Sequence, residues 1–322
     1  MNSINHYREE FLAHLKTSIA VKEPRNLYEP IDYILQLGGK RLRPVLTLIA
    51  ADLFGGDYRN ALPAAAAVEV FHNFSLVHDD IMDNASLRRG KATVHQKWNS
   101  NIAILSGDAM LICAYRLLES YPPDTFAALA KLFSKTALEV CEGQQWDMDF
   151  ETQAQVSIPQ YLQMICYKTA VLVGAALQMG AIIAGASIEN QRLIYDFGVT
   201  IGLAFQLQDD YLDTFGDEAF GKKIGGDILE NKKTILYLKA LDLADEAQRN
   251  TLIAQYTTSE ENDKKIAIVT QLFRQTGATE AVRDEITRTT DEALNLLEHI
   301  TISDENRAYL KQFALELMNR KV

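Results

Sequence analysis

Asp79-Asp80-Ile81-Met82-Asp83 has the form DDxxD, and 130 positions later Asp209-Asp210-Tyr211-Leu212-Asp213 has it again. Apolar residues flank each copy: Phe74, Leu76, Val77 and Ile81 at the first, Phe205, Leu207, Tyr211 and Leu212 at the second. A solvated acidic face or a helix cap does not carry such flanks, so the repeat reads as two helices that bring carboxylates into an apolar setting. Residues i and i+4 of a helix share a face, so Asp79 points with Asp83 and Asp209 with Asp213. Like charges gathered inside a protein are costly unless something cancels them. Carboxylate oxygens are the hard ligands Mg²⁺ takes, and Mg²⁺ ordinarily shares its sphere with water and substrate phosphates. The two clusters together suggest a metal-bridged diphosphate held between two helices.

The chain around these clusters reads as helical throughout. All seven prolines lie at or before Pro159, and the remaining 163 residues have none. A long proline-free chain with 3.6-residue periodicity is strongly helical, and no period-2 strand pattern with turn dipeptides competes with it. Helices are expected near 3–20, 41–54, 61–83, 92–120, 124–150, 158–185, 188–216, 231–243, 245–256, 260–275, 277–299 and 303–320. Breaks are expected at Pro24 to Pro30, Gly38-Gly39, Gly55-Gly56, Asn84 to Lys91, Pro122-Pro123, Gly216 to Gly226 and Thr257 to Ser259. No low-complexity linker divides the chain, so residues 1–322 read as a single all-α domain.

Bulk properties narrow the function. The 322 residues are 48% hydrophobic and 23% charged, the balance of a globular protein able to bury a sizeable core. A net charge of −11 argues against a general nucleic-acid binder but not against a small anion held by a local basic patch or by metal. Cys113, Cys141 and Cys166 form no CxxC pair and read as free thiols of a reducing cytoplasm. The segment Met1 to Glu10 is polar and has no secretory h-region. The apolar run Ala170 to Ala186, broken by Gln178 and glycines, reads as a buried core helix, not a membrane span.

Cations cluster near the acids. Gly38-Gly39-Lys40-Arg41-Leu42-Arg43-Pro44 sets three of them at a glycine turn opening a helix, where they do not suit the helix dipole; the mismatch hints at a bound anion. Leu87-Arg88-Arg89-Gly90-Lys91 places three more after the first acidic cluster, and arginine forks match phosphate oxygens. After the second cluster come Gly221-Lys222-Lys223-Ile224-Gly225-Gly226-Asp227 and Glu230-Asn231-Lys232-Lys233-Thr234. Lys168-Thr169 interrupts an apolar helix, where a lysine either snorkels or pairs with an anion. Gln206 lies on the face of Asp209, and Gln144 and Asp147 are one turn apart, either supporting groups or ordinary polar helix positions.

GGKRLRP, HDDIMDNASLRRG, a Lys-Thr pair, FQLQDDYLD and GKKIGGDILENKKT occur in that order. Together they resemble the trans-isoprenyl diphosphate synthases of the polyprenyl synthetase family over roughly Asp32 to Lys233. The resemblance implies an antiparallel helical bundle around a deep central cavity, the isoprenoid synthase type fold, usually in a homodimer. It implies about three Mg²⁺ bridging Asp79, Asp83 and Asp209 to an allylic diphosphate, with Asp80, Asp210 and Asp213 completing or orienting that shell. It gives Arg88, Lys168, Thr169, Gln206, Lys223 and Lys232 to the allylic diphosphate, and Lys40, Arg43, His72 and Arg89 to isopentenyl diphosphate. Lys222 competes with Lys223, and alignment on the following Ile-Gly favours Lys223. His72 also reads as a satisfied helix histidine, but its place two turns before Asp79 fits the family pattern. The implied reaction is loss of diphosphate from the allylic substrate, attack by the isopentenyl double bond and loss of a proton, in a cavity that excludes water.

Product length should follow the depth of that cavity. Ser75, Phe74 and Phe71 lie roughly 6, 7.5 and 12 Å back along the helix from Asp79. Ser75 leaves space, and Phe74 and Phe71 offer a floor, although aromatics on helices usually just pack. An aromatic five positions upstream of an uninterrupted DDxxD resembles short-chain synthases, so a twenty-carbon product is expected, with fifteen carbons the runner-up. A class I terpene cyclase would need neither GGKRLRP nor the second DDxxD, and a head-to-head condensing enzyme lacks the basic pattern. A non-catalytic partner subunit would typically have lost an acidic cluster.

Overall fold

The long helices follow from their sequence signals. In the computed structural model, which describes residues 1–216, 224–258 and 263–318, α1 (Ile4–Ser18), α3 (Leu42–Leu53), α4 (Leu62–Met82), α7 (Pro123–Thr152), α10 (Ile188–Phe215) and α15 (Ala278–Glu298) fall close to the expected bounds. Side-chain caps set several starts. Asn99 accepts from the Ile102 amide at 2.9 Å before α6 (Ser100–Leu118), and Ser157 and Gln160 form a capping box at α8 (Ile158–Ile165). The chain continues through a π-turn, Cys166–Ala170, into α9 (Val171–Ile183). The short α11 (Gly226–Leu229) precedes α12 (Ile235–Leu243), α13 (Glu246–Thr257), α14 (Asp263–Gln275) and, after α15, α16 (Asp304–Met318).

Three local readings need correcting. Residues Pro24 to Pro30 do not break the chain: α2 (Arg25–Gln36) begins at Pro24 and contains Pro30. Its buried stripe of Ile31, Ile34 and Leu35 outweighs the hydrogen bond that Pro30 removes. The stretch 92–120 is two helices, α5 (Val94–Lys97) and α6, parted at Trp98-Asn99. Within the expected break after the first acidic cluster, β1 (Leu87–Arg88) and β2 (Lys91–Ala92) form an antiparallel hairpin, the one sheet among the described residues.

The chain divides into two compact units, residues 1–135 with 175–194 and residues 136–174 with 195–322. In the first, the alanine-rich start of α4 lets it pack closely against α6 and α3, while α1 lies on α3 and α4. Gly180 is the close point of this unit: a Cβ there would come 2.2 Å from the Thr47 carbonyl oxygen. In the second, α12 packs on α15 and α8, and α14 on α11, α13 and α15. Leu207, Ile228, Ile235, Leu236, Phe273 and Val282 form the centre of that core.

Among the described residues two helical stretches, Ser100–Leu118 and Ile158–Ile183, are long and apolar enough to cross a membrane. The second is 67% buried, as a core helix should be, whereas α6 is only 33% buried and leaves Ile104, Leu105 and Ile112 exposed.

Candidate active site

In the first unit the acidic motif ends α4, with Asp83 at the C-cap and its amide on the Asp79 carbonyl at 2.8 Å. The three aspartates are not equivalent. Asp83 is exposed and Asp79 half-buried, whereas Asp80 is wholly buried. Arg88 donates to Asp80 Oδ1 from Nε at 3.0 Å and Nη2 at 2.6 Å. Burial raises the Asp80 pKa, and Arg88 opposes the rise.

Arg88 is delivered by the hairpin. Arg89 and Gly90 both have positive φ, +53° and +74°, as the two central residues of a type I′ turn must. The turn sends Arg88 to Asp80, while Arg89 donates to the Gly38 carbonyl. Gly39, at φ +121°, lies against that guanidinium so closely that a Cβ would meet Arg89 Cζ at 2.8 Å.

Arg41, at φ +53°, opens α3 with its side chain buried on Glu69 and the Leu35 carbonyl. Glu69 also accepts from Asn73 at 2.9 Å. Arg43 donates to His72 Nε2 at 3.3 Å. Burial, then the charges of Arg43, Arg89, Arg41 and Arg88, push the His72 pKa well below its ordinary value, so the ring is neutral and accepts. Lys40 is exposed on the same turn. Four arginines thus gather around one neutral histidine.

Further down α4, Phe71 is fully buried between Phe74 and Phe133, with ring centroids 5.5 and 5.2 Å away. Phe74 also meets His78 at 4.8 Å, nearer the aspartates. Ser75 turns its hydroxyl back to the His72 carbonyl at 2.9 Å.

The second unit holds the other acidic motif on α10. Asp209 is half-buried, and Asp210 and Asp213 are buried. Asp210 accepts from the Tyr161 hydroxyl and from Gln206 Nε2 at 3.0 Å. Burial and the nearby charge of Asp227 push its pKa up to about 7. Asp213 accepts from the Asp227 amide at 3.0 Å, fixing the start of α11. Lys168 pairs with Asp147 at 2.5 Å, and Thr169 donates to Gln206 at 3.5 Å. Both come from the π-turn, a feature often found where helices serve function. Gly143 lets α7 approach that turn, since a Cβ there would sit 2.2 Å from the Lys168 amide nitrogen.

Lys232 pairs with Glu230 at 2.8 Å; burial works against its charge, but Glu230, Asp227 and Asp147 hold its pKa above the usual lysine range. Lys233 donates to the carbonyls of Phe150 at 2.6 Å, Glu151 at 3.2 Å and Gln153 at 2.7 Å, closing the end of α7. Lys222, Lys223 and the tail Asn319 to Val322 lie outside the described residues.

Among the described residues no three His, Cys, Asp or Glu side chains converge as a ready-made metal cage. Mg²⁺ needs none: it keeps waters and takes one or two carboxylates with substrate phosphates. Oxygen-only donors one turn apart, Asp79 and Asp83, suit it.

Sequence reasoning did not find Arg41 with Glu69, Tyr161, Gly143 or Lys233. Tyr161 is 49 residues from Asp210 and Lys233 some 80 from the end of α7, so only folding pairs them.

The sequence matches the polyprenyl synthetase family over residues 24–273. It is 37% identical over 321 residues to a short chain isoprenyl diphosphate synthase of Methanothermobacter thermautotrophicus, covering 98% of each chain. It is similar to a crystal structure of a geranylgeranyl pyrophosphate synthase at 54% identity and TM-score 0.96, covering 100% of both chains. It is also similar, at 29% identity and TM-score 0.85 over 98% of each chain, to the geranylgeranyl pyrophosphate synthase of Corynebacterium glutamicum complexed with isoprenyl diphosphate and magnesium. The chain belongs to the polyprenyl synthetase family and is a prenyltransferase with the isoprenoid synthase fold.

Proposed function

We propose that this protein condenses isopentenyl diphosphate head to tail with an allylic diphosphate and releases geranylgeranyl diphosphate. The observation that carries the reading is the gathering of Arg41, Arg43, Arg88 and Arg89 around neutral His72. Glu69 and Asp80 answer Arg41 and Arg88, which leaves an excess of positive charge in a partly buried site. Such an excess calls for an anion, and a diphosphate supplies it.

In this reading Lys40, Arg43, His72 and Arg89 hold the diphosphate of isopentenyl diphosphate. Arg88, Lys168, Thr169, Gln206, Lys223 and Lys232 contact the allylic diphosphate. Asp79, Asp83 and Asp209 hold Mg²⁺, about three ions with substrate bound, and Asp80, Asp210 and Asp213 orient the ligands. Bound Mg²⁺ supplies positive charge that stabilises the departing diphosphate. The C1–O bond of the allylic substrate breaks and its electron pair leaves with the diphosphate. The double bond of isopentenyl diphosphate supplies the pair for the new C–C bond. A proton then passes to the released diphosphate, and its C–H electron pair restores an alkene five carbons longer. His72, held neutral, accepts from Arg43 and keeps that guanidinium aimed without adding charge.

Phe74 and Phe71, below Ser75, act as the floor that stops growth at twenty carbons, in keeping with the two similar geranylgeranyl synthases. The exposed Ile104, Leu105 and Ile112 of α6 favour a homodimer that covers them. In this reading residues 1–322 act as one catalytic domain, in the cytoplasm.

The test is incubation with Mg²⁺, labelled isopentenyl diphosphate and each of the five-, ten- and fifteen-carbon allylic starters, with products read by mass spectrometry. A twenty-carbon diphosphate, absent from an Asp79→Ala control, is expected. No product from any starter would sink the reading.

A further inference from the structure

Gln144 is 8% exposed, and among the described residues neither its Oε1 nor its Nε2 has a hydrogen-bond partner. A buried carboxamide with both ends unmet is costly, and native proteins keep few of them without a use. Its surroundings narrow that use. Gly143, next in the chain, is pressed against the backbone of Tyr167 and Lys168. Asp147, one turn further along α7, pairs with Lys168 at 2.5 Å. Gln144 therefore belongs to the corner where the π-turn presents Lys168 and Thr169. Thr136 and Val140 continue its face backwards along α7, both buried, and the Thr136 hydroxyl likewise meets no partner among the described residues.

We infer that the Gln144 carboxamide contacts the reacting allylic group, with its oxygen turned toward the carbon that becomes electron-poor as the C1–O bond breaks. The inference rests on the proposed reaction. A neutral dipole suits that place because it stabilises developing positive charge without repelling the diphosphate, as a carboxylate would. It needs no reorganisation when fixed in a dry site. The unmet atoms are then a cost borne by the resting protein and recovered in the transition state.

The inference separates stability from rate. Gln144→Met keeps the volume and removes both unmet polar atoms, so the melting temperature should hold or rise. Its kcat should fall about 10- to 100-fold, with KM for both diphosphates within about twofold. Gln144→Asn keeps the polarity but shortens the reach, so its kcat should fall as well. Thr136→Val, about 12 Å back along the helix, should match the stability of the wild type and keep its kcat. A Met variant with wild-type kcat, or one that melts lower or fails to fold, overturns the inference. So does an Asn variant with full activity, which would mean that any hydrated amide suffices. A wild type inert with every starter defeats the proposed reaction itself, whereas an active wild type with an active Met variant defeats only the role of Gln144.

Discussion

Replacing Gly143 with alanine tests whether the π-turn is held in place by the closeness of α7. The added methyl carbon would lie 2.2 Å from the Lys168 nitrogen, 2.7 Å from the Tyr167 carbonyl carbon and 2.8 Å from the Lys168 Cα. Ordinary contact begins at 3.4 Å, and all three atoms are backbone, so no side chain can swing away. The turn must retreat by about 1 Å, taking Lys168 and Thr169 with it. Overpacking of this kind costs about 1–3 kcal/mol of stability. A displacement of about 1 Å at a reacting site can cost on the order of 100-fold in rate. Gly180→Ala makes the matching control, because its Cβ would meet the Thr47 carbonyl oxygen at the same 2.2 Å, in a place with no assigned chemistry. Both variants should melt lower by thermal denaturation. Only Gly143→Ala should lose kcat with labelled isopentenyl diphosphate at a temperature where both are folded. Equal kcat in the two variants would refute the view that this contact sets the position of Lys168.

Other perturbations follow from the same geometry. In the unfolded chain His72 titrates near 6.5, and in the fold burial and four arginines hold it lower, so its contribution is full above 6.5 and drains as pH falls. Urea denaturation at pH 7 and 5.5 should show the wild type losing up to about 1.4 kcal/mol more than His72→Gln per unit of pH, and parallel losses would contradict this. Lys233→Met strips the end of α7 of a cation on three carbonyls and should cost about 1–2 kcal/mol, with faster amide exchange around residues 148–153 as the local sign. Phe74→Ala should lengthen the product by one or two five-carbon units by mass spectrometry, and an unchanged twenty-carbon product would remove Phe74 from the floor. Chelation by EDTA should abolish turnover and added Mg²⁺ restore it, with persistence under EDTA counting against carboxylate-held metal.

Much of this could be read along the chain because its signals are local. The absence of proline after Pro159 and the apolar period decided α9, α10, α12 and α15. The acidic and basic motifs are short, contiguous runs. What escaped depends on context. Pro30 sits inside α2 because Ile31, Ile34 and Leu35 find a core, which no propensity reports. The hairpin escaped because two-residue strands leave no period to detect; Arg89-Gly90 was the sole cue, and arginine is an unusual left-handed residue. The unequal burial of the aspartates within each DDxxD was also hidden. Asp80 is tethered by Arg88, Asp210 by Tyr161 and Gln206, and Asp213 by the Asp227 amide.

The Arg89-Gly90 turn has a consequence for how this segment tolerates change. Arg88 ends β1 and Arg89 opens the turn at positive φ, so the turn works as a sorting device that sends one arginine to Asp80 and the next to the Gly38 carbonyl. Inserting or deleting one residue between Asp83 and Arg88 would shift the hairpin relative to α4 and strand a buried aspartate without its cation. The Gly39 position is tied to the same choice, since its missing side chain is the space the second guanidinium fills. Three separated stretches of sequence thus behave as one inherited unit: length changes there, or a side chain at position 39, should be tolerated only together with changes at the other two.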